Sequence, residues 1–224
     1  MSPRSPILLA LVVATASTAP APLRVRASPV TRPCVAAAAG LYERTTGQAI
    51  AVEAGALGES SSAEGADVVV GADAELNRII ESGASHPELD VDVARIPWVL
   101  VGAPGTAPDL AALQRSSEAV GVLGGVAARE ARRVLGQQGF ASSRLRGLDR
   151  TDGPLRLTRG EMAIVPLSLA GDLPAASLSL PPITARALGV RSSGRHEAAR
   201  AFLGFLTGGP GNAAFRTCGR TESR

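Results

Sequence analysis

Lysine is absent from this 224-residue chain, and all 23 of its basic residues are arginine. Set against 20 acidic residues, they leave a formal charge of only +3. Aromatic residues make up 3% of the chain, and no basic run is interleaved with them, which argues against a nucleic-acid partner. The all-arginine pattern matches compositional drift toward GC-rich coding rather than a binding signal. Histidine is almost absent too: His86 and His196 lie far apart in sequence with no ligand spacing around them, so neither a metal nor a cofactor is expected. No G-x-S-x-G elbow is present. Ser192, Ser193 and His196 are neighbours, but they precede an amphipathic helix, where such residues are ordinary turn and surface positions. An enzyme is therefore not the expectation. Beyond the N-terminus no apolar stretch is long enough to span a bilayer, and there is neither an internal repeat nor a low-complexity linker.

Hydrophobic residues form 45% of the chain, enough for a globular core in one domain or two small lobes. The N-terminus reads as a secretory signal over residues 1–16. Arg4 supplies the positive region, residues 7–13 the apolar core, and Ala14-Thr15-Ala16 a small-x-small cleavage site. The mature protein would begin at Ser17 and be exported, to the periplasm or outside the cell. No cysteine lies near that site, so a lipoprotein anchor is not indicated. Cys34 and Cys218 are the only cysteines, and an even count in an exported protein favours a disulfide over two free buried thiols.

Local patterns give alternating strands and helices. Residues 23–27 alternate as a strand, and Pro33 suits the first turn of a helix over 34–45 that stops before Gly47. A short strand follows over 49–52, then a small polar loop over 54–65. Asp67-Val68-Val69-Val70 reads as a buried strand. Gly71-Ala72-Asp73 turns the chain, with Asp73 as N-cap of a helix over 74–82 that buries Leu76, Ile79 and Ile80 and ends at Gly83. Residues 86–92 read as connecting chain, and 96–101 as a doubly buried strand. Further strands are expected at 119–123, 162–165 and 185–190, with Pro166 ending the second of these. Helical segments are expected at 109–114, 126–136, 154–159, 197–206 and 212–216, and a loop at 147–153. The helix over 197–206 should turn Ala201, Phe202, Phe205 and Leu206 inward. This order predicts parallel-sheet α/β architecture, with a frayed tail from Gly219.

Several strings, in order, resemble the periplasmic molybdate-binding protein family. They are LYERTTG (41–47), the Ala66-Asp67-Val68 and Ala72-Asp73 pairing, RIPWVLVGAPG (95–105), Arg159-Gly160-Glu161, Pro181-Pro182-Ile183 and EAARAFLGFL (197–206). A seventh, over 211–219, resembles the family's C-terminal ending. The resemblance implies a type 2 periplasmic binding protein fold: two α/β lobes with an interlobe cleft. Lobe one would comprise residues 23–96 plus 180–219, and lobe two 97–179. It further implies a small oxyanion such as molybdate or tungstate in the cleft, delivery to the membrane subunits of an ABC transporter, and a monomer. Oxyanions suit such clefts because helix N-termini offer N–H groups and partial positive charge.

The family's donors are two serines, two backbone amides and a tyrosine, and this chain departs from most of them. Val30 stands at the first serine, with Ser28 and Thr31 beside it as substitutes. Gly55, between Ala54 and Ala56, stands at the second, and Ser60-Ser61-Ser62 follows as an exposed stretch. Gly125 and Val126, after Gly124, open a helix and can give amide donors. Thr151, next to Arg150, stands at the second amide-donating loop, but Asp149 and Asp152 flank it and would repel an anion. Pro166 stands at the tyrosine, leaving Ser168 as the nearby donor. Arg32 is a further candidate anion contact. The implied function is an extracytoplasmic solute-binding protein. The alternative is an exported scaffold with an altered or lost ligand site, acting on another solute, on a protein partner or as a sensor.

Overall fold

Strand β1 (Leu23–Ala27) buries Leu23, Val25 and Ala27 and turns Arg24 to solvent, as its alternation requires. A computed structural model of the chain describes residues 21–123, 126–148 and 155–218. The signal-peptide reading and the frayed tail from Gly219 lie outside the described residues. Helix α1 (Arg32–Thr46) carries Pro33 in its first turn, buries Cys34, Val35, Ala38, Ala39 and Tyr42, and ends on Gly47. That glycine adopts φ of +74°, the left-handed conformation that lets its N–H bond to the Glu43 carbonyl. Then come β2 (Ile50–Ala54), a 3-10 turn (Ser60–Ala63), the fully buried β3 (Val68–Ala72), α2 (Asp73–Glu81) and β4 (Ser85–Ile96).

Pro97 carries the chain into a second set of elements. These are β5 (Trp98–Gly102), α3 (Leu110–Arg115), β6 (Val120–Leu123), α4 (Val126–Gln137), β7 (Leu145–Leu148), β8 (Met162–Pro166), a 3-10 turn (Leu167–Leu169) and β9 (Ala175–Ser177). The chain then returns through β10 (Ile183–Val190), α5 (His196–Thr207) and α6 (Gly209–Thr217).

Two five-stranded sheets result, in the orders β2-β1-β3-β10-β4 and β7-β6-β8-β5-β9. Each is mixed rather than purely parallel. In the first, β1 runs parallel to β2 and β3, while β10 is antiparallel to both β3 and β4. In the second, β6 runs parallel to β7 and β8, and β5 is antiparallel to β8 and β9. The antiparallel strands follow from the connections. β4 leads straight into the second sheet, so β10 re-enters the first one at the end where β4 leaves it and must run antiparallel to it. Ile96 and Ile183, the last residue of β4 and the first of β10, are register partners where the chain crosses between sheets.

Several local expectations change. Residues 86–92 belong to β4, whose pairing with β10 is interrupted by two register shifts; the alternation of Leu89, Val91 and Val93 with Asp90 and Asp92 is the strand signal there. β4 lies at the sheet edge, where Pro87 is tolerated and the charges of Glu88, Asp90 and Asp92 can be solvated. The 147–153 loop begins two residues into β7, and residues 155–158 form no helix. Residues 60–63 coil into a 3-10 turn inside the 54–65 loop. In α5 the inward face is Ala199, Phe202, Leu203 and Leu206; Ala201 is exposed and Phe205 half-buried.

Tyr42 of α1 meets the edges of Phe202 and Phe205 at 5.3 and 5.1 Å between ring centroids. This pins α5 over α1, and full burial of a side chain such as Phe202 contributes about 1.5–3 kcal/mol. A Cys34–Cys218 disulfide ties α1 to the end of α6, with Cα atoms 5.1 Å apart. That separation lies within the ordinary range for a bridge.

Candidate ligand site

The carboxyl ends of parallel strands in an open α/β sheet form a crevice, the general ligand position for such folds. Here Ser28, Pro29, Val30 and Thr31 leave the end of β1 and lead into α1. Ser28 and Thr31 are fully buried. The Ser28 N–H donates to the Val70 carbonyl at 2.9 Å, and the Thr31 hydroxyl donates to the same carbonyl at 2.8 Å. The N–H groups of Thr31 and Arg32 both turn back onto the Ser28 carbonyl, at 3.0 and 2.8 Å. Pro33 has no N–H to offer. The first turn of α1 is thus tied into the sheet end. Arg32 opens that helix with its side chain exposed.

Ser168 comes to the same place from the second sheet. Its hydroxyl, buried in the turn after β8, donates to the Val30 carbonyl at 2.6 Å. Val30 contributes a carbonyl rather than a side-chain donor. Pro166 is buried beside this turn and is the register partner of Trp98. The structure therefore brings Ser28, Val30, Thr31 and Ser168 together, with Pro166 just behind. Gly55 sits at the end of β2, where its N–H donates to the Ala27 carbonyl at 3.0 Å. A side chain there would strike the Arg26 side chain at 2.9 Å. Val126 opens α4, which packs against α2 between the two halves. Gly124, Gly125, Asp149, Arg150, Thr151 and Asp152 lie outside the described residues. Ser60 and Ser61 line an open groove of 490 Å³ with Ser82, Gly83, Arg191 and Ser192, at the far end of α2.

Sequence reasoning missed Glu75. Asp73 was expected to cap α2, but the cap residue is Ala72, and Glu75 performs the capping by accepting the Ala72 N–H at 2.9 Å. Asp73 is the first helical residue, and its carboxylate pairs with Arg186 at 2.8 Å instead. The Ser28 hydroxyl, whose nearest side-chain partner is the Thr31 hydroxyl at 3.3 Å, also lies near the Glu75 carboxylate and favours its charged form. Burial pushes the Glu75 carboxyl above its ordinary range, and the Ala72 N–H and Ser28 hydroxyl offset this in part. The available signal was an acidic residue three places after the helix cap, the second half of a capping box.

Elsewhere, the Ser193 hydroxyl donates to Asp67 at 2.6 Å, and His196 contacts the Arg191 carbonyl through Nε2 at 3.2 Å. Sequence spacing had separated the two histidines, but the fold brings them together, tilted by 60° with ring centroids 5.3 Å apart, at the edge of the first sheet. Among the described residues no three metal-ligating side chains come together, and no helix is long and apolar enough to cross a membrane.

The two-sheet topology with its paired crossovers is that of the type 2 periplasmic binding proteins. The structure is similar to the periplasmic molybdate-binding protein of Azotobacter vinelandii, at TM-score 0.71 and 16% identity over 90% of this chain and 100% of that one. It is also similar to the sulfate-binding protein SubI of Mycobacterium tuberculosis (TM-score 0.61, 16% identity, 88% of this chain and 85% of that one). Iron-bound HitA of Pseudomonas aeruginosa gives TM-score 0.58 at 16% identity, over 87% of this chain and 84% of that one. No family model and no curated protein sequence matches the chain. The likeness to periplasmic molybdate-binding proteins is thus that of a divergent chain on the same fold.

Proposed function

We propose that this chain is an extracytoplasmic solute-binding protein that hands a small oxyanion to the membrane subunits of an ABC importer. One observation carries the reading. Two α/β sheets are joined by crossovers, and the turn after β8 meets the β1–α1 turn through Ser168 and the Val30 carbonyl. Residues 23–96 with 180–219 form one lobe in this proposal, and 97–179 the other. Export through the N-terminal signal and a monomeric state belong to the same reading. Molybdate or tungstate is the favoured ligand by resemblance to the molybdate-binding family, and similar structures carry names for molybdate, sulfate and iron. Hinge motion about the crossovers would open and close the crevice.

Thermal unfolding of the chain from Ser17 against molybdate, tungstate, sulfate, phosphate and organic acids tests this. A ligand present at a hundred times its Kd stabilises by about 2.7 kcal/mol, which a melting curve resolves. A rise with one oxyanion supports the reading, and a folded protein indifferent to all of them overturns it. A second reading draws on the buried hydroxyls, since Thr31 and Ser168 donate to protein carbonyls. In that reading the scaffold keeps its fold with an altered ligand site and serves another solute, a protein partner or a sensing role.

A further inference from the structure

Gly71 has no side chain, and the space is used. A Cβ at that position would meet the Glu75 carboxylate at 3.2 Å and Leu57 at 2.9 Å. The carboxylate therefore lies against bare backbone at the end of β3, accepting the Ala72 N–H at 2.9 Å and facing the Ser28 side chain. These groups stand at the carboxyl end of β3 and in the β1–α1 turn, where the two parallel strands end side by side and where open α/β sheets take their ligands. A tetrahedral oxyanion in the crevice would need the same kind of donor and would bring a second negative charge beside the first. Two like charges a few ångströms apart in a poorly solvated site repel strongly.

We propose that Glu75 is a specificity-determining residue whose carboxylate occupies the first-sheet half of the crevice and opposes oxyanion binding there. The proposal rests on the oxyanion reading above and deepens it. A bound anion must displace this side chain or meet it in its neutral form. The nearest acidic neighbour on the helix, Asp73, does not share the task, because it is exposed and paired with Arg186. The capping role of Glu75 needs only an oxygen acceptor for the Ala72 N–H, which glutamine also supplies. A neutral amide side chain at this position would keep the cap and lose the repulsion.

Isothermal titration of the wild-type chain and Glu75→Gln with molybdate, tungstate and sulfate at neutral pH tests the proposal. Glu75→Gln is expected to bind at least one of these anions tenfold or more tightly than wild type. Glu75→Asp, which keeps the charge, is expected to show no such gain. Should Glu75→Gln fail to fold by circular dichroism, Glu75→Ala removes the same charge and carries the same expectation. Wild-type binding that neutralisation leaves unchanged overturns the role of Glu75 and leaves the solute-binding reading intact. Absence of binding by folded wild-type and neutralised proteins alike overturns the oxyanion reading, and this inference with it.

Discussion

The Ser168 hydroxyl donates to the Val30 carbonyl at 2.6 Å across 138 residues of sequence, from the turn after β8 to the turn before α1. Both residues are buried, so the bond is shielded from competing water. It is a direct polar tie between the first-sheet and second-sheet elements at the crevice. Ser168→Ala leaves the Val30 carbonyl without this partner, at a cost of about 1–3 kcal/mol. Urea unfolding should show a lower midpoint of that size. A midpoint equal to wild type would mean that the carbonyl finds another donor and that the tie is dispensable.

The Cys34–Cys218 bridge spans 184 residues and holds α6 against α1. Closing so long a loop restricts the unfolded chain and stabilises the fold by about 5 kcal/mol in the chain-entropy account, before any strain is subtracted. Cys34→Ser with Cys218→Ser should therefore lower stability by several kcal/mol, and adding reductant to wild type should reproduce the shift. A double variant that unfolds at the wild-type urea concentration would show that α1 and α6 are held by packing alone.

Much of the scaffold was legible because its signals are local. Pro33 and Gly47 bracket α1, the valines of β3 announce a doubly buried strand, and Phe202 and Leu206 share the inner face of α5. The start of β4 was not read, because Pro87 and the charges of Glu88, Asp90 and Asp92 mask the alternation of Leu89, Val91 and Val93, and its register shifts twice against β10. Its partner choice depends on a strand arriving much later in the chain, which no short window contains. Resemblance led to Ser28, Val30, Thr31 and Ser168, and the fold ties these residues to the Val70 and Val30 carbonyls. It could not show that the hydroxyls of Thr31 and Ser168 point at carbonyls, since that depends on Val70 and Val30 main-chain atoms. Glu75 was overlooked for a related reason. Asp73 satisfies the composition rule for a cap, but the helix starts one residue early and Arg186, a distant residue, claims the Asp73 carboxylate.

Asp67 at the foot of β3 is buried and accepts two short bonds, from the Ser193 hydroxyl at 2.6 Å and the Arg24 N–H at 2.8 Å. Arg195 approaches it at 3.8 Å. This cluster fastens the turn after β10 onto β1 and β3, which gives Ser193 a structural task. Ser193→Ala removes one partner of a buried carboxylate and should cost about 1–3 kcal/mol in denaturant unfolding. His196→Ala should leave that same stability nearly unchanged, because His196 contacts the Arg191 carbonyl rather than Ser193. An equal loss in both variants would show that the two residues act as one unit.

The raised pKa of Glu75 makes stability depend on pH in a stated direction. Burial disfavours its charged form, so the folded chain holds the Glu75 proton to higher pH than the unfolded chain does. Between the unfolded and folded pKa values the native state binds more protons, and stability must fall as pH rises through that window. The contribution is fully present below the unfolded value and lost above the folded one. Carboxylates that gain charged or N–H partners on folding act oppositely, so the Glu75 effect is best read as a difference. The stability of Glu75→Gln minus that of wild type should increase with pH across the acidic range and level off above the folded pKa. A difference that is flat from pH 4 to pH 8 would mean that burial does not perturb this carboxyl, and a difference that falls would reverse the assigned sign.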